Sequence, residues 1–391
     1  MPSWIVALAV ILVLQTAAAF LTRLIPVAAP AFLDEFGWDQ SFVGYLSAAN
    51  IAGALVILLA GVGLIRRIGH VLAFQLTIVI GAVSLVLFYI PWIGAVLLAS
   101  ALAGFSNAAA NPAGAAVLQR FAPEAKRNLV FSIKQSGVPL AGAIAGLALP
   151  PLIERFGWRI ALLIAAAGAI LAVAAMAPFR KRIEPPRDPA SGRLRIDLAA
   201  PLRSLKSAPG LPRIAAVGIV LSVTQSSWFT FAVAYLVIAH RLSLAAAGLV
   251  FAVMQAAGVV GRIGMGWIAD RVGSVVTLMS VATLSGVLTI LFALFPVGSP
   301  LWSLMLLSTA AGIAVAGWNG VEIAEVARRS PRHLIGETAA GNVILVYLTN
   351  MVAPMAFAAF VAATGRFDLA FAAAGVCALA CVPVLWGVRG T

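Results

Sequence analysis

Three basic side chains, Arg23, Lys134 and Arg262, fall inside stretches that are otherwise apolar. Hydrocarbon does not solvate a cation, and an arginine or lysine at the centre of a span costs about 2.5–3.5 kcal/mol on insertion scales. Such residues face a cavity and hold partners there. An excess of positive charge at that depth predicts an anionic ligand, and a guanidinium fork matches a carboxylate through two parallel hydrogen bonds. Acids at comparable depth are Glu322 and Glu325. Glu322, one turn beyond Asn319, is the best-placed group to load and release a proton. Burial favours its protonated form and a nearby cation its ionised form, so distances decide between a proton carrier and a plain counter-ion.

Uncharged polar residues accompany these charges. Asn107 and Asn111, Gln225 and Trp228, and Tyr347 and Asn350 are each spaced three or four apart, so each pair shares one helix face. Trp318 and Glu322 share another, with Asn319 adjacent. Asn111, Asn319, Gln225, Trp228, Tyr347 and Asn350 are therefore candidate ligands. The alternative is interhelical glue, at below about 2 kcal/mol each. Arg262 near one interface and Arg23 near the other also read as residues that snorkel to water. Lys134, about two turns in, is too deep for easy escape.

Catalytic and cofactor chemistry finds no foothold. His70, His240 and His333 fall outside the apolar stretches and in no metal-binding spacing, and there is no Gly-Lys-Ser/Thr phosphate loop. No metal, no cofactor and no enzymatic activity are expected. Cys377 and Cys381, four apart in the last apolar stretch, read as packing.

The elements that position these residues follow from composition. Of 391 residues, 62% are apolar and 10% charged, and the mean hydropathy is +1.06. A soluble domain averages about one quarter charged. Crossing about 30 Å of hydrocarbon takes about 20 apolar residues. Twelve such spans are read at 4–29, 40–64, 71–90, 93–118, 128–153, 159–178, 214–239, 244–268, 274–295, 301–325, 338–363 and 368–388. Their Gly, Ala and Pro content suits close helix packing in lipid and argues against a barrel. The first span lacks the basic leader and short core of a secretory signal, so it is expected to be retained.

The formal net charge of +13 could suggest nucleic acid, but its distribution reports topology instead. Arg66, Arg67, Arg120, Lys126, Arg127, Arg271, Arg328, Arg329 and Arg332 lie in alternate loops, and segment 179–213 adds nine more basic residues. By the positive-inside rule both termini are expected in the cytoplasm, with the chain in the inner (cytoplasmic) membrane. Segment 179–213 separates residues 1–178 from 214–391 as a linker. Residues 198–206 within it are a candidate amphipathic helix on the inner leaflet.

The halves repeat. Gly104, Asn111 and Pro123 are matched by Gly312, Asn319 and Pro331 at one offset (312 − 104 = 319 − 111 = 331 − 123 = 208). At that offset Lys134 meets Asn342 and Gly114 meets Glu322. Arg67-Ile68-Gly69 matches Arg271-Val272-Gly273 at 204.

The run Gly266-Trp267-Ile268-Ala269-Asp270-Arg271-Val272-Gly273 is a charged turn between two membrane-length segments. In spacing, charge order and context it resembles the inner turn of the major facilitator superfamily of secondary transporters. That resemblance covers essentially the whole chain. It implies an all-α membrane protein with twelve transmembrane helices in two pseudo-symmetric six-helix bundles. It also implies a midplane substrate site and alternating access. Gly266, Asp270, Arg271 and Gly273 then carry conformational gating, or else only cap helix ends. The first-half turn departs from the pattern: aligned on Gly69, Arg66 stands at the acid position and Val62 at the leading glycine. Gly157-Trp158-Arg159 resembles the family's outer-loop pattern.

Gly261-Arg262-x-x-x-Gly266 resembles the eighth helix of monocarboxylate, oxalate-formate and cyanate-type members, where an arginine meets the substrate anion. A small organic anion is therefore the expected cargo, moved by a monomer with protons as a candidate coupling ion. A multidrug-type or metabolite exporter is the alternative, since Gly137-x-Pro139-x-x-Gly142 is similar to the glycine-proline pattern of proton antiporters. Three buried positive charges would disfavour cationic drugs.

Overall fold

A backbone that crosses hydrocarbon must satisfy its own N–H and C=O groups, and a continuous helix does so. The computed structural model describes residues 3–60, 62–123, 127–184, 199–331 and 334–388, and these are helical apart from short connections. The chain divides into two units, Met1–Ile196 and Asp197–Thr391.

Unit 1 contains α1 (Ser3–Phe36), α2 (Val43–Ala60), α3 (Val62–Ile68), α4 (His70–Ser84), α5 (Ile93–Ala108), α6 (Ala110–Phe121), α7 (Arg127–Met176) and α8 (Arg180–Ile183). Unit 2 contains α9 (Ala199–Ser204), α10 (Leu211–Ile238), α11 (Leu244–Val272), α12 (Ser274–Ala293), α13 (Leu301–Arg329), α14 (Ile335–Thr364) and α15 (Phe367–Trp386). Among the described residues, 10 helical segments are long and apolar enough to cross a membrane. The α7 helix comprises two such legs, because Gly157 (φ 79°) breaks it. The α5 and α6 helices together make another leg. Their division at Ala109 departs from the unbroken span expected at 93–118. Pro112 has no N–H to donate to the carbonyl of Ala108, so the ladder is interrupted there. Among the described residues each unit thus holds six membrane-length legs. Outward-facing Val83, Leu98, Leu147, Leu171, Leu306 and Val352 are exposed, an apolar surface suited to lipid.

Without water to drive apolar faces together, legs associate where small residues let backbones approach. In unit 1, a Cβ on Gly104 would overlap the carbonyl oxygen of Asn50. In unit 2, a Cβ on Gly312 would overlap the carbonyl oxygen of Met254. These are the same contact twice, at the offsets already visible in the sequence (312 − 104 = 208; 254 − 50 = 204). The turns at Gly69 and Gly273 repeat as closely. Gly69 (φ 114°) donates to the carbonyl of Ile65 at 3.0 Å and accepts from Ala73 N at 2.9 Å. Gly273 (φ 90°) does so with Ala269 at 3.0 Å and Thr277 at 3.1 Å.

A polar clamp closes one end of unit 1. Trp158 Nε1 donates to Glu35 Oε2 at 2.5 Å, Arg159 pairs with Glu35 Oε1 at 2.6 Å, and Tyr89 Oη donates to the carbonyl of Arg159 at 2.6 Å. The kink at Gly157 aims Trp158 and Arg159 at the end of α1. The Arg159–Glu35 pair is solvent-accessible and contributes at most about 1 kcal/mol.

The described ends of segment 179–213 are anchored to neighbouring helices. Residues 185–198 lie outside the described residues. At its start, both carboxylate oxygens of Glu184 accept hydrogen bonds, from Val71 N at 3.0 Å and Leu72 N at 3.2 Å. These are first-turn amides of α4, so Glu184 caps that helix. Arg120 donates to the Glu184 carbonyl at 3.3 Å. At the far end of the segment, α9 packs against α14; this short helix lies within the candidate amphipathic stretch 198–206. Glu184→Ala should cost about 1 kcal/mol. Hydrogen exchange at Val71 and Leu72 should then accelerate while that of α10 and α12 stays unchanged.

Candidate functional site

In unit 1, Lys134 on α7 is 3% exposed, and its Nζ donates to Gln135 Oε1 at 3.2 Å. Its stem lies over Gly114 of α6, where a Cβ would come within 2.9 Å of Lys134 Cε and 3.3 Å of Ile11 Cγ2 on α1. Glycine at 114 therefore makes room for a long cation inside the bundle. Arg23 lies on α1, half-buried. Asn111 lies on α6, and its side chain is outside the described part; Asn107, one turn away on α5, is half-buried. Gly137 sits close to Thr16, Gln15 and Leu12 of α1. The glycine-proline pattern thus has a packing function within unit 1.

In unit 2 the polar residues form a seam between α10, α13 and α14. Gln225 Nε2 on α10 donates to the carbonyl of Val315 at 2.8 Å and to Asn319 Oδ1 at 3.2 Å. One turn further along α13, Glu322 is 1% exposed. Its Oε2 accepts from Asn342 Nδ2 of α14 at 3.0 Å, and its Oε1 faces Gly218 of α10, where a Cβ would sit 2.7 Å away. The candidate Gln225 and its neighbour Asn319 are thus partly committed to each other.

Other expected ligands separate from this seam. Trp228 is 1% exposed, stacks on Phe292 at 4.1 Å and donates Nε1 to Thr289 Oγ1 at 2.9 Å. That indole belongs to an aromatic core with Tyr235 and Phe371, a packing role rather than a wall for a ligand. Tyr347 and Asn350 lie half-buried on α14. Arg262 lies half-buried on α11, next to Gly261, whose Cα packs on the backbone of Ile313 in α13. That crossing fixes the height and rotation of Arg262 in the bundle.

The turn between α11 and α12 is built from Asp270, Arg271 and Gly273, with Gly266 one turn earlier on α11. The Arg271 guanidinium lies 3.3 Å from the centroid of the Trp267 ring, a cation–π contact. Asp270 lines an open cleft of about 830 Å³ with Gly273, Ser274, Arg328 and Arg329. The N-caps of α4 and α12 are both glycines, Gly69 and Gly273, with no side chain to cap the helix, and at α4 a distant carboxylate takes that part. Glu184 thus brings to the first-half turn the carboxylate that its own sequence lacks. Glu325 is buried, and both Arg328 and Arg329 pair with it at 2.6 Å, which neutralises it locally.

His240, in the connection after α10, is buried edge-on against Tyr235, and burial holds its imidazole below the usual histidine range. Among the described residues no group of three His, Cys, Asp or Glu side chains is placed to hold a metal ion.

Sequence reasoning passed over Asn342 as the partner of Glu322, Gly218 as its floor, and Glu184 as the cap of α4. The offset of 208 held the first of these. It pairs Gly114 with Glu322 and Lys134 with Asn342, so whatever rests on position 114 in one unit has its counterpart on 322 in the other.

A family model described as the Major Facilitator Superfamily matches residues 11–354. Uncharacterized MFS-type transporters of Mycobacterium tuberculosis, strains CDC 1551 / Oshkosh and ATCC 25618 / H37Rv, are each 27% identical to the chain over 363 residues. The alignment covers 91% of this chain and 79% of theirs. The solved structure of a nucleoside transporter superposes with TM-score 0.77 at 12% identity, covering 98% of this chain and 100% of that one. A bacterial homologue of the human lysosomal transporter Spinster gives 0.71 at 16%, covering 100% and 96%. These two likenesses show the fold.

The contact between Gly218 and Glu322 is open to a double-mutant cycle. Gly218→Ala should cost about 1–3 kcal/mol through overpacking. In a Glu322→Ala background most of that cost should vanish. Equal losses of thermal stability in both backgrounds would show that the two residues do not touch.

Proposed function

The chain belongs to the Major Facilitator Superfamily, which makes it a multi-pass membrane transporter of a small molecule, and we propose that its cargo is a small organic anion, a mono- or dicarboxylate. The observation that carries this reading is the sign of the charge at depth. Lys134 is buried inside unit 1, and Arg23 and Arg262 lie on membrane-length helices. Of the two acids at similar depth, Glu325 is already neutralised by Arg328 and Arg329. Arg262 supplies the bidentate fork, Lys134 and Arg23 supply further positive charge, and Asn111, Asn319, Tyr347 and Asn350 are the neutral ligands. Gln225 and Trp228 support this set from the packing around it.

Transport runs by alternating access in the inner membrane with both termini cytoplasmic, a placement supported by the basic residues in alternate loops. Gly266, Asp270, Arg271 and Gly273 gate the cycle at the inner turn of unit 2. Glu322 carries the coupling proton, and the chain works as a monomer. The export of drugs is the competing reading. The packing role of Gly137 removes part of its motive, and stabilisation by cationic drugs would restore it.

The purified protein should be stabilised by organic acids and not by cationic drugs in a thermal-shift panel. A ligand at about 100 times Kd adds about 2.7 kcal/mol. Arg262→Ala and Lys134→Ala should each weaken the stabilising acid at least 30-fold, about 2 kcal/mol, measured as the ligand-induced shift from each folded variant's own unliganded melting temperature. Arg262→Lys should also weaken it, because a point charge loses the fork. Full binding in both alanine variants would sink the anion reading.

In proteoliposomes, Glu322→Gln should lose accumulation driven by a pH gradient yet retain exchange of labelled substrate. A variant that still concentrates substrate would leave Glu322 a packing residue. Asp270→Asn should alter the distances between spin labels on the two units if the inner turn gates the cycle; identical distributions would show a merely structural turn.

A further inference from the structure

We propose that Asn342 is a positioning residue for the proton carried by Glu322, its side-chain amide satisfying the carboxyl in both the ionised and the protonated form. This rests on the reading of Glu322 as the proton carrier. Asn342 is 2% exposed and Glu322 1% exposed, and the 3.0 Å bond joins them away from water. Each keeps one buried oxygen without a hydrogen-bond partner, Glu322 Oε1 and Asn342 Oδ1. A buried polar atom left unsatisfied costs about 1–3 kcal/mol, and more on a charged group, so the ionised carboxyl depends on the donor that Asn342 supplies.

An asparagine amide has a donor and an acceptor at nearly the same position, exchanged by a half-turn of its terminal torsion. With Glu322 ionised, Nδ2–H donates to Oε2. When a proton arriving from water forms the O–H bond at Oε2, the negative charge is cancelled and the turned amide accepts through Oδ1. Release reverses both steps, and no other bond is made or broken. Gly218 leaves the Oε1 edge free of a side chain, which gives the carboxyl room to adjust.

The repeat shows what this position does otherwise. In unit 1 the corresponding residue is Lys134, resting on Gly114. A lysine at 342 would hold Glu322 ionised by direct ion pairing, and the carboxyl could no longer titrate in the working range. A neutral amide leaves the charge free to change.

The charged groups on the surrounding elements are few. Arg213 of α10 is bonded to the Gly387 carbonyl at 2.7 Å. The α11 helix carries Arg262, Asp270 and Arg271, α12 carries none, and α14 carries Glu337, whose side chain is outside the described part. On α13 itself Glu325 is paired with Arg328 and Arg329, and on α15 Asp368 is paired with Arg366. Among the described residues, the hydrogen bond that reaches the Glu322 carboxyl is that of Asn342.

Infrared difference spectra of the purified full-length protein across a pH titration test this without any transported ligand. The carbonyl stretch of a protonated buried carboxyl should grow as pH falls and be missing in Glu322→Gln. Asn342→Leu removes the donor, and because a bond to a charged acceptor is worth more than one to a neutral one, the midpoint should rise by about one pH unit, tenfold in proton affinity. The stretch should move to higher frequency at the same time. Asn342→Lys should lower the midpoint or abolish the band. Asn342→Ser, which keeps a donor and acceptor in a smaller side chain, should fall between wild type and Asn342→Leu and serves if the leucine variant does not fold. An unchanged midpoint and frequency in a folded Asn342→Leu or Asn342→Ser protein would overturn the proposal while leaving Glu322 as carrier. Failure of Glu322→Gln to remove any band would overturn the carrier reading itself, and the proposal with it.

Discussion

Hydrocarbon as a solvent is the constraint on which the rest depends. It offers no hydrogen bonds, so the backbone becomes helix, and it offers no hydrophobic drive between helices, so association relies on close packing of small residues. Gly104 against Asn50 and Gly312 against Met254 show the consequence. These glycines let two backbones touch, and the touching pair sets the height at which every side chain on those legs is presented. Arg262 lies next to another such crossing, Gly261 on Ile313. The position of that guanidinium is thus set beside a residue with no side chain.

The same solvent makes polar groups inside a unit expensive, and the two units meet that cost differently. Unit 1 keeps a lysine, lays its stem over a glycine and gives its ammonium an amide oxygen. Unit 2 places a carboxyl where that glycine stood and an amide where the lysine stood. One architecture, duplicated, therefore holds a buried lysine in one half and a buried carboxyl paired with an amide in the other. Divergence at two positions exchanges the sign of the buried group without altering the helices that hold it.

A similar redistribution is seen at the turns that precede α4 and α12. Gly69 and Gly273 have nearly the same backbone geometry, yet the acid is Asp270 in one and is imported from Glu184 in the other. A helix N-terminus favours negative charge whichever part of the chain delivers it. Glu184 follows the last leg of unit 1, so the cap ties the start of the connecting segment to the third leg.

Much of this was legible in the residues. Span number, the all-helical class, the separation of two spans between residues 153 and 159 and the repeat with its offsets follow from apolar run length, charge and glycine position, because these obey the solvent and the backbone alone. The placement of Arg23, Lys134, Arg262 and Glu322 on membrane-length helices follows for the same reason. Which neighbour each side chain meets did not follow. Trp228 and Gln225 share a helix face with residues oriented inward, yet one is absorbed by Phe292 and Thr289 and the other by Val315 and Asn319. Periodicity gives the face of a helix but not its rotation against its neighbours, and that rotation is set by crossings such as Gly312 on Met254. The pairing of Glu322 with Asn342 and of Glu184 with α4 likewise needed the tertiary structure, since hydrogen bonds form over about 3 Å between residues 20 and 113 positions apart.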